Sequence, residues 1–184
     1  MHRTTTAPAR HRLRGDQTWQ SEAACRSTER RPVDLETFFP SPDDTQTIAT
    51  AKAYCGGCPV RDVCLDAALE TGDAHGIRGG LTEEERAPLH EETQTRLDRT
   101  RVDEAVAGRD VHLSKPERRA VATVALQQGL SEERLAWILQ ITLEHAQKLY
   151  RAARRAQRHR ALHQQQSSPA SRTQGDTGAF RTAA

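Results

Sequence analysis

Large apolar side chains are scarce in this 184-residue chain. Aromatic residues are 4% of it, apolar residues 35%, and there is one methionine. That is below the apolar share of an ordinary globular domain, so one large core is excluded. The ordered parts must be small, and small cores need a staple such as a metal centre. No stretch is long and apolar enough for a membrane helix. The start, "MHRTTTAPARHRLRG", is basic and lacks the apolar run of a secretory signal, so the expected location is the cytoplasm. Structural disulfides are rare in that compartment, and close cysteines there point to metal or redox chemistry. No run reads as a convincing β-strand, which weighs against a thioredoxin-like βαβ redox fold. Net charge is only +2, so total charge names no partner.

What is there is a cysteine pattern. The chain has four cysteines, and "YCGGCPVRDVC" holds three of them: Cys55, Cys58 and Cys64. The fourth is Cys25. A single four-thiolate centre uses them all. Structural zinc sites of this kind usually pair two C-x-x-C knuckles. Here there is one knuckle and a split second pair. Iron–sulfur clusters tolerate more varied spacing, including a distant fourth ligand. Both centres would be dianionic, so local charge does not separate them. Gly56 and Gly57 let backbone N–H groups approach sulfur, which favours a cluster, and they also serve as a helix stop. The turn "GIRGG", residues 76–80, is a second source of such N–H groups.

Local patterns predict an all-α chain. Residues 43–54 read as a helix capped by Asp43 or Asp44, with Ile48, Ala51 and Cys55 on one face. Pro59 suits the first turn of the next helix, which Gly72 ends and in which Cys64 points inward. Thr82 with Glu85 is a capping box, and Pro88 is expected to break or kink that helix. Ser114 with Glu117 is a second capping box. Ser131 and Thr142 cap two more helices, giving a three-helix unit with a tight turn. Trp19, Phe38 and Phe39 suit either a core or a partner contact. The organisation expected is a flexible basic arm (1–17), a cysteine-bearing lobe (18–87), a charged linker (88–112), a helix-turn-helix-like unit (113–160) and a disordered tail (161–184).

Cys25, the C-x-x-C-x5-C run at 55, 58 and 64, "FFP" at 38–40 and "GIRGG" followed by "LTEEER" together resemble the WhiB-like transcription regulators. The likeness covers about residues 19–87. It implies a [4Fe–4S] cluster on Cys25, Cys55, Cys58 and Cys64. It also implies loss of that cluster to oxygen or nitric oxide, after which the freed thiols can form disulfides. The family's action is on transcription, often by docking on region 4 of the primary sigma factor. The family's turn usually carries a Trp where this chain has Arg78, at the place that meets sigma. A guanidinium does not replace the apolar burial of an indole, so Arg78 is a partner-contact candidate and weaker sigma docking is expected.

Residues 129–155 resemble the helix-turn-helix of sigma region 4, with Gln140 at the usual turn glycine and Ala146 at a usual core valine. On the last helix Lys148, Arg151, Arg154, Arg155 and Arg158 share an arc of roughly 120°. That is an electrostatic footprint for DNA phosphates. Leu143, Glu144 and Gln147 lie where a recognition helix meets base edges. A solvated three-helix bundle is the bland alternative. His159 and His163 have no third ligand nearby and read as part of a basic tail. Arg3, Arg10, Arg12 and Arg14 of the arm are candidates for non-specific DNA affinity. The expected protein is a non-enzymatic, redox-switched regulator. The competing readings are an apo-form thiol–disulfide oxidoreductase using Cys55 and Cys58, and a zinc-stapled DNA-binding module.

Overall fold

The computed structural model describes residues 11–167. Among them are seven α-helices, two short 3-10 turns (Thr18–Glu22 and Leu35–Phe38) and no β-strand beyond isolated bridges. The chain is all-α, as its patterning requires.

The first helix, α1, is Thr45–Gly56, and the Asp44 side chain accepts from the Thr47 N–H to start it. Its inward face is Ile48, Ala51 and Cys55, which meet Val33, Phe38 and Ile77 in a small core. The second, α2, is Arg61–Thr71 and ends on Gly72 in the left-handed region. Helix α3 is Glu83–Thr95, opened by the Thr82–Glu85 capping box. Pro88 does not break it. Pro88 and Glu84 are both exposed, so the carbonyl left unpaired by the missing N–H has solvent to bond.

The larger core belongs to the C-terminal half. It is built by α4 (Arg99–Val106), α5 (Lys115–Gln127), α6 (Glu132–Leu139) and α7 (Leu143–Ser167). Val121, Leu135, Ala146 and Tyr150 are at most 2% exposed. The Tyr150 hydroxyl donates to the Leu130 carbonyl at 2.8 Å, which satisfies the polar end of a buried ring. Residues 88–112 are not a linker. They form the second half of α3 and all of α4, and Val102 and Ala105 enter this core. The periodicity is weak because α4 has only eight residues and buries an arginine, Arg101, beside its apolar pair.

Residues 11–17 are not a loose arm either. They run as a strap along the C-terminal half. Leu13 bridges Val111, the Arg14 N–H donates to the Asp110 carbonyl at 2.7 Å, and Arg14 pairs with Asp110 at 2.8 Å. His11 lies 3.1 Å from Asp98 and 3.5 Å from Glu104. Arg12 pairs with Glu70. The strap then enters the Thr18–Glu22 turn and reaches Cys25. Arg3 and Arg10 lie outside the described residues, as does most of the expected tail. Residues 161–167 of that tail continue α7.

Glu117 ties three helix ends together. It is the third residue of α5 and is wholly buried. It accepts from Arg96 Nε at 2.9 Å and Arg96 Nη2 at 3.3 Å, beyond the end of α3. It also accepts from the Asp98 N–H at 3.0 Å, before α4, and from the Ser114 N–H at 2.7 Å.

Candidate metal centre and nucleic-acid interface

Three elements bring the cysteines together. Cys25 follows the first 3-10 turn, Cys55 ends the inner face of α1, Cys58 sits in the connection, and Cys64 lies in the first turn of α2. All four are half-buried free thiols, so the disulfide pairing that the resemblance allows for a cluster-free form is not present here. They line one cavity of about 660 Å³. Among the described residues no three His, Cys, Asp or Glu side chains converge on a point as ligands of one ion do. In a four-cysteine zinc site the sulfurs would stand about 3.8 Å apart, given Zn–S bonds of about 2.3 Å. Burial pushes the Cys25 thiol up, as do Cys64 and Cys58, while Arg78 opposes them. Burial also pushes Cys55 up, against a Gly80 backbone N–H and together with the other three thiols. Cys25 and Cys55 are thus each within electrostatic reach of the other cysteines.

The N–H groups that meet sulfur come from outside the C-x-x-C loop. The Ala24 N–H donates to Cys58 Sγ at 3.4 Å, and Gly80 serves Cys55. Gly56 closes α1 and Gly57 caps it at φ −101°, with no protein atom within 4 Å of where either Cβ would stand. Of the two roles foreseen for that pair, the helix stop is the one observed. The glycines that the backbone requires are in the "GIRGG" turn. A Cβ on Gly79, at φ +57°, would stand 2.5 Å from Leu65 Cβ on α2.

That turn is held by a residue the sequence reading missed. Arg86, on α3, is fully buried. Its guanidinium donates to the carbonyls of Gly76 and Leu81 at 2.7 Å, His75 at 3.2 Å and Asp73 at 3.3 Å. Burial lowers its pKa. The only sequence signal was a lone cation in the acidic opening of a helix, "TEEER". Arg61 adds a bond from Nε to the Gly79 carbonyl at 3.1 Å.

Arg78, Arg61 and Arg26 line the cavity, so three cations face a site whose thiolates would be anionic. Arg78 also pairs with Asp73 at 3.4 Å and is about one-third exposed. Of the aromatic candidates, Phe38 is buried, Trp19 is half-buried and Phe39 is 59% exposed. Phe39 shares the cavity rim with the equally exposed Leu35.

In the C-terminal half, α6, a tight turn and α7 form the expected helix, turn, helix sequence. Gln140 takes the turn position at φ 51°, the only non-glycine with positive φ among the described residues. Its side-chain amide donates to the Trp137 carbonyl at 2.8 Å. Leu143, Glu144, Lys148, Arg151, Arg154, Arg155 and Arg158 are exposed on α7, and Gln147 is half-buried. Lys148 pairs with Glu144 at 2.6 Å, one turn apart. Arg154 lies 5.9 Å from the Tyr150 ring. Arg12 and Arg14, offered above as DNA contacts, are engaged with Glu70 and Asp110 instead.

Comparison with known proteins agrees with this geometry. The family model for the transcription factor WhiB matches residues 19–89. The transcriptional regulator WhiB1 of Bifidobacterium longum is 43% identical over 74 residues, 39% of this chain and 75% of that protein. WhiB1 of Mycobacterium tuberculosis is 42% identical over 74 residues, covering 39% and 82%. WhiB2 of Mycolicibacterium smegmatis is 44% identical over 71 residues, covering 39% and 50%. The family match takes in all four cysteines and the Arg86-held turn, and it stops before α4. On that likeness, the chain belongs to the WhiB family.

Proposed function

We propose that this chain is a redox- or nitric-oxide-responsive transcriptional regulator that holds a [4Fe–4S] cluster on Cys25, Cys55, Cys58 and Cys64 and acts through DNA contact by α7. The observation that carries it is the gathering of every cysteine in the chain around one cavity. The single C-x-x-C with a split second pair favours a multi-iron centre over a zinc site of two knuckles. When bound, the cluster supplies one-electron chemistry and a target for oxygen and nitric oxide. The chain's own part is to donate the Ala24 N–H to sulfur, to pack the Gly80 backbone against Cys55, and to set Arg26, Arg61 and Arg78 against the negative charge. The relatives are named as transcriptional regulators, which supports a non-enzymatic role in the cytoplasm.

The DNA part rests on the exposed row Arg151, Arg155 and Arg158 and on the protruding length of α7. Sigma region 4 is the protein partner proposed beside it, on the apolar rim of Leu35 and Phe39 next to Arg78. Anaerobic purification with iron and sulfide assays tests the centre. A brown protein with about four irons and four sulfides per chain is expected, and a colourless zinc protein overturns it. Cys25→Ala is expected to lose the cluster. Full iron and sulfide in that variant would refute the four-thiolate assignment.

A further inference from the structure

Helix α2 has two working faces. Cys64 points to the cavity. Asp66 and Glu70, four residues apart, lie roughly 200–240° around the helix from it at 100° per residue, and so face the other way. That far face meets the C-terminal half. Arg101 of α4, only 4% exposed, donates to Asp66 Oδ2 and to Glu70 Oε1, each at 2.8 Å. The second oxygen of Glu70 receives Arg12 of the strap. The Glu70 side chain is 2% exposed and that of Arg12 8%. Arg12 Nη1 also donates to the Leu13 and Asp16 carbonyls at 3.0 Å, which fixes the strap's bend toward Cys25. One buried carboxylate therefore joins three elements: the helix carrying Cys64, the strap carrying Cys25, and the helix that completes the core beneath α7.

We infer that the Arg12–Glu70–Arg101 cluster is an ionic lock through which the state of the four-cysteine centre sets how firmly the DNA-binding half is held. This rests on the proposed function for its meaning. The strap that brings Arg12 to Glu70 runs on to Cys25, and the helix that carries Glu70 also carries Cys64. A bound group that ties those thiols together fixes the strap and α2 relative to each other, and so holds Glu70 against Arg12 while Arg101 meets it from α4. Without that tie, the strap and α2 are free to separate, and each separation strands a buried charge. Breaking one partner of a buried ion pair is costly because the other is left uncompensated. The lock is thus cooperative, closing with the centre assembled and opening without it. Arg101 is unusual only in this light: a buried charged side chain in a short helix, whose two carboxylate partners at 2.8 Å lie over 30 residues away in the cysteine-bearing half, with Asp98 more distant at 3.9 Å.

Hydrogen exchange on the full-length protein tests this without DNA. The amides to follow are Arg14, bonded to Asp110, and Val102, bonded to Asp98. In protein as purified, Glu70→Gln is expected to speed exchange at both by about 100-fold, since buried Arg12 loses its charge partner and Arg101 keeps only the Asp66 and Asp98 carboxylates. Asp66→Asn, at a more exposed site, keeps the fold secure and is expected to give a smaller rise confined to α4. Stripping iron from the wild-type protein with a chelator is expected to reproduce the Glu70→Gln pattern. Unchanged exchange in both variants would refute the lock. Equal protection in iron-loaded and stripped wild-type protein would refute its coupling to the centre. A protein that does not bind DNA at all leaves these readings intact and counts against the proposed function instead.

Discussion

Two capping boxes in this chain have the same chemistry and very different burial, and they set up a quantitative test. Glu85 closes the box at α3 with its side chain 44% exposed and paired to Lys52. Glu117 closes the box at α5 with no exposure and four donors. Glutamine at 117 keeps one acceptor oxygen and presents an N–H₂ group to the donors at the other. At about 1.5–3 kcal/mol for each bond to a charged acceptor, two lost bonds cost about 3–6 kcal/mol. Glutamine at 85 should cost about 1 kcal/mol or less, because water replaces what is lost. Urea unfolding followed by far-ultraviolet circular dichroism measures both. The pH dependence adds a second check. Burial pushes the Glu117 carboxyl up, but Arg96 and the Ser114 and Asp98 N–H groups outweigh it, so its pKa lies below the ordinary 4.5. Its contribution is therefore fully present above about pH 4.5 and is lost as pH falls through the lower folded value. The gap between wild type and Glu117→Gln should narrow in acid. Equal costs for the two variants, or a gap that widens in acid, would refute the view that Glu117 is the knot of three helices.

Gly79→Ala should destabilise the cysteine-bearing half strongly, since its Cβ would strike α2 at Leu65, whereas Gly57→Ala should be nearly neutral; thermal melts of the two compare them directly. Removing the charges of Arg151, Arg154 and Arg155 should flatten the slope of log affinity against log salt by up to about 2.7, at roughly 0.9 for each phosphate no longer neutralised. Changing Glu144 or Gln147 should alter sequence preference instead, read on a panel of DNA probes. Arg78→Trp should tighten binding to sigma region 4 in a pull-down or titration, and weaker binding would show that Arg78 makes a charged contact of its own.

Much of the fold was legible because its helix ends carry their own chemistry. Asp44, Thr82, Ser114, Ser131 and Gly72 each sit at the boundary that their side chain or backbone freedom predicts. The gathering of the four cysteines at one cavity was legible by counting, since four thiols allow one complete set. What escaped was burial decided at long range. Arg86 and Arg101 look like surface charges in sequence and become core residues only when carbonyls or carboxylates from other elements surround them. For the same reason the segment 88–112 read as a solvated linker, and the strap as a loose arm. Their partners, such as Glu117 for Arg96 or Val111 for Leu13, lie 21 and 98 residues away.

The strap also imposes an order on synthesis. Leu13 and Arg14 are made early, yet their partners at Asp110 and Val111 emerge from the ribosome roughly 50 residues after Cys64, about 2–10 s later at usual elongation rates. During that interval all four thiols exist while Leu13 and Arg14 have no partner, and Arg12 with Glu70 is the tie of the strap that leads into the Thr18–Glu22 turn lining the cavity. The turn that lines the cavity is therefore held by fewer contacts in the nascent chain than in the finished protein, and completion of α4 and residues 107–111 adds the remaining anchors of the strap.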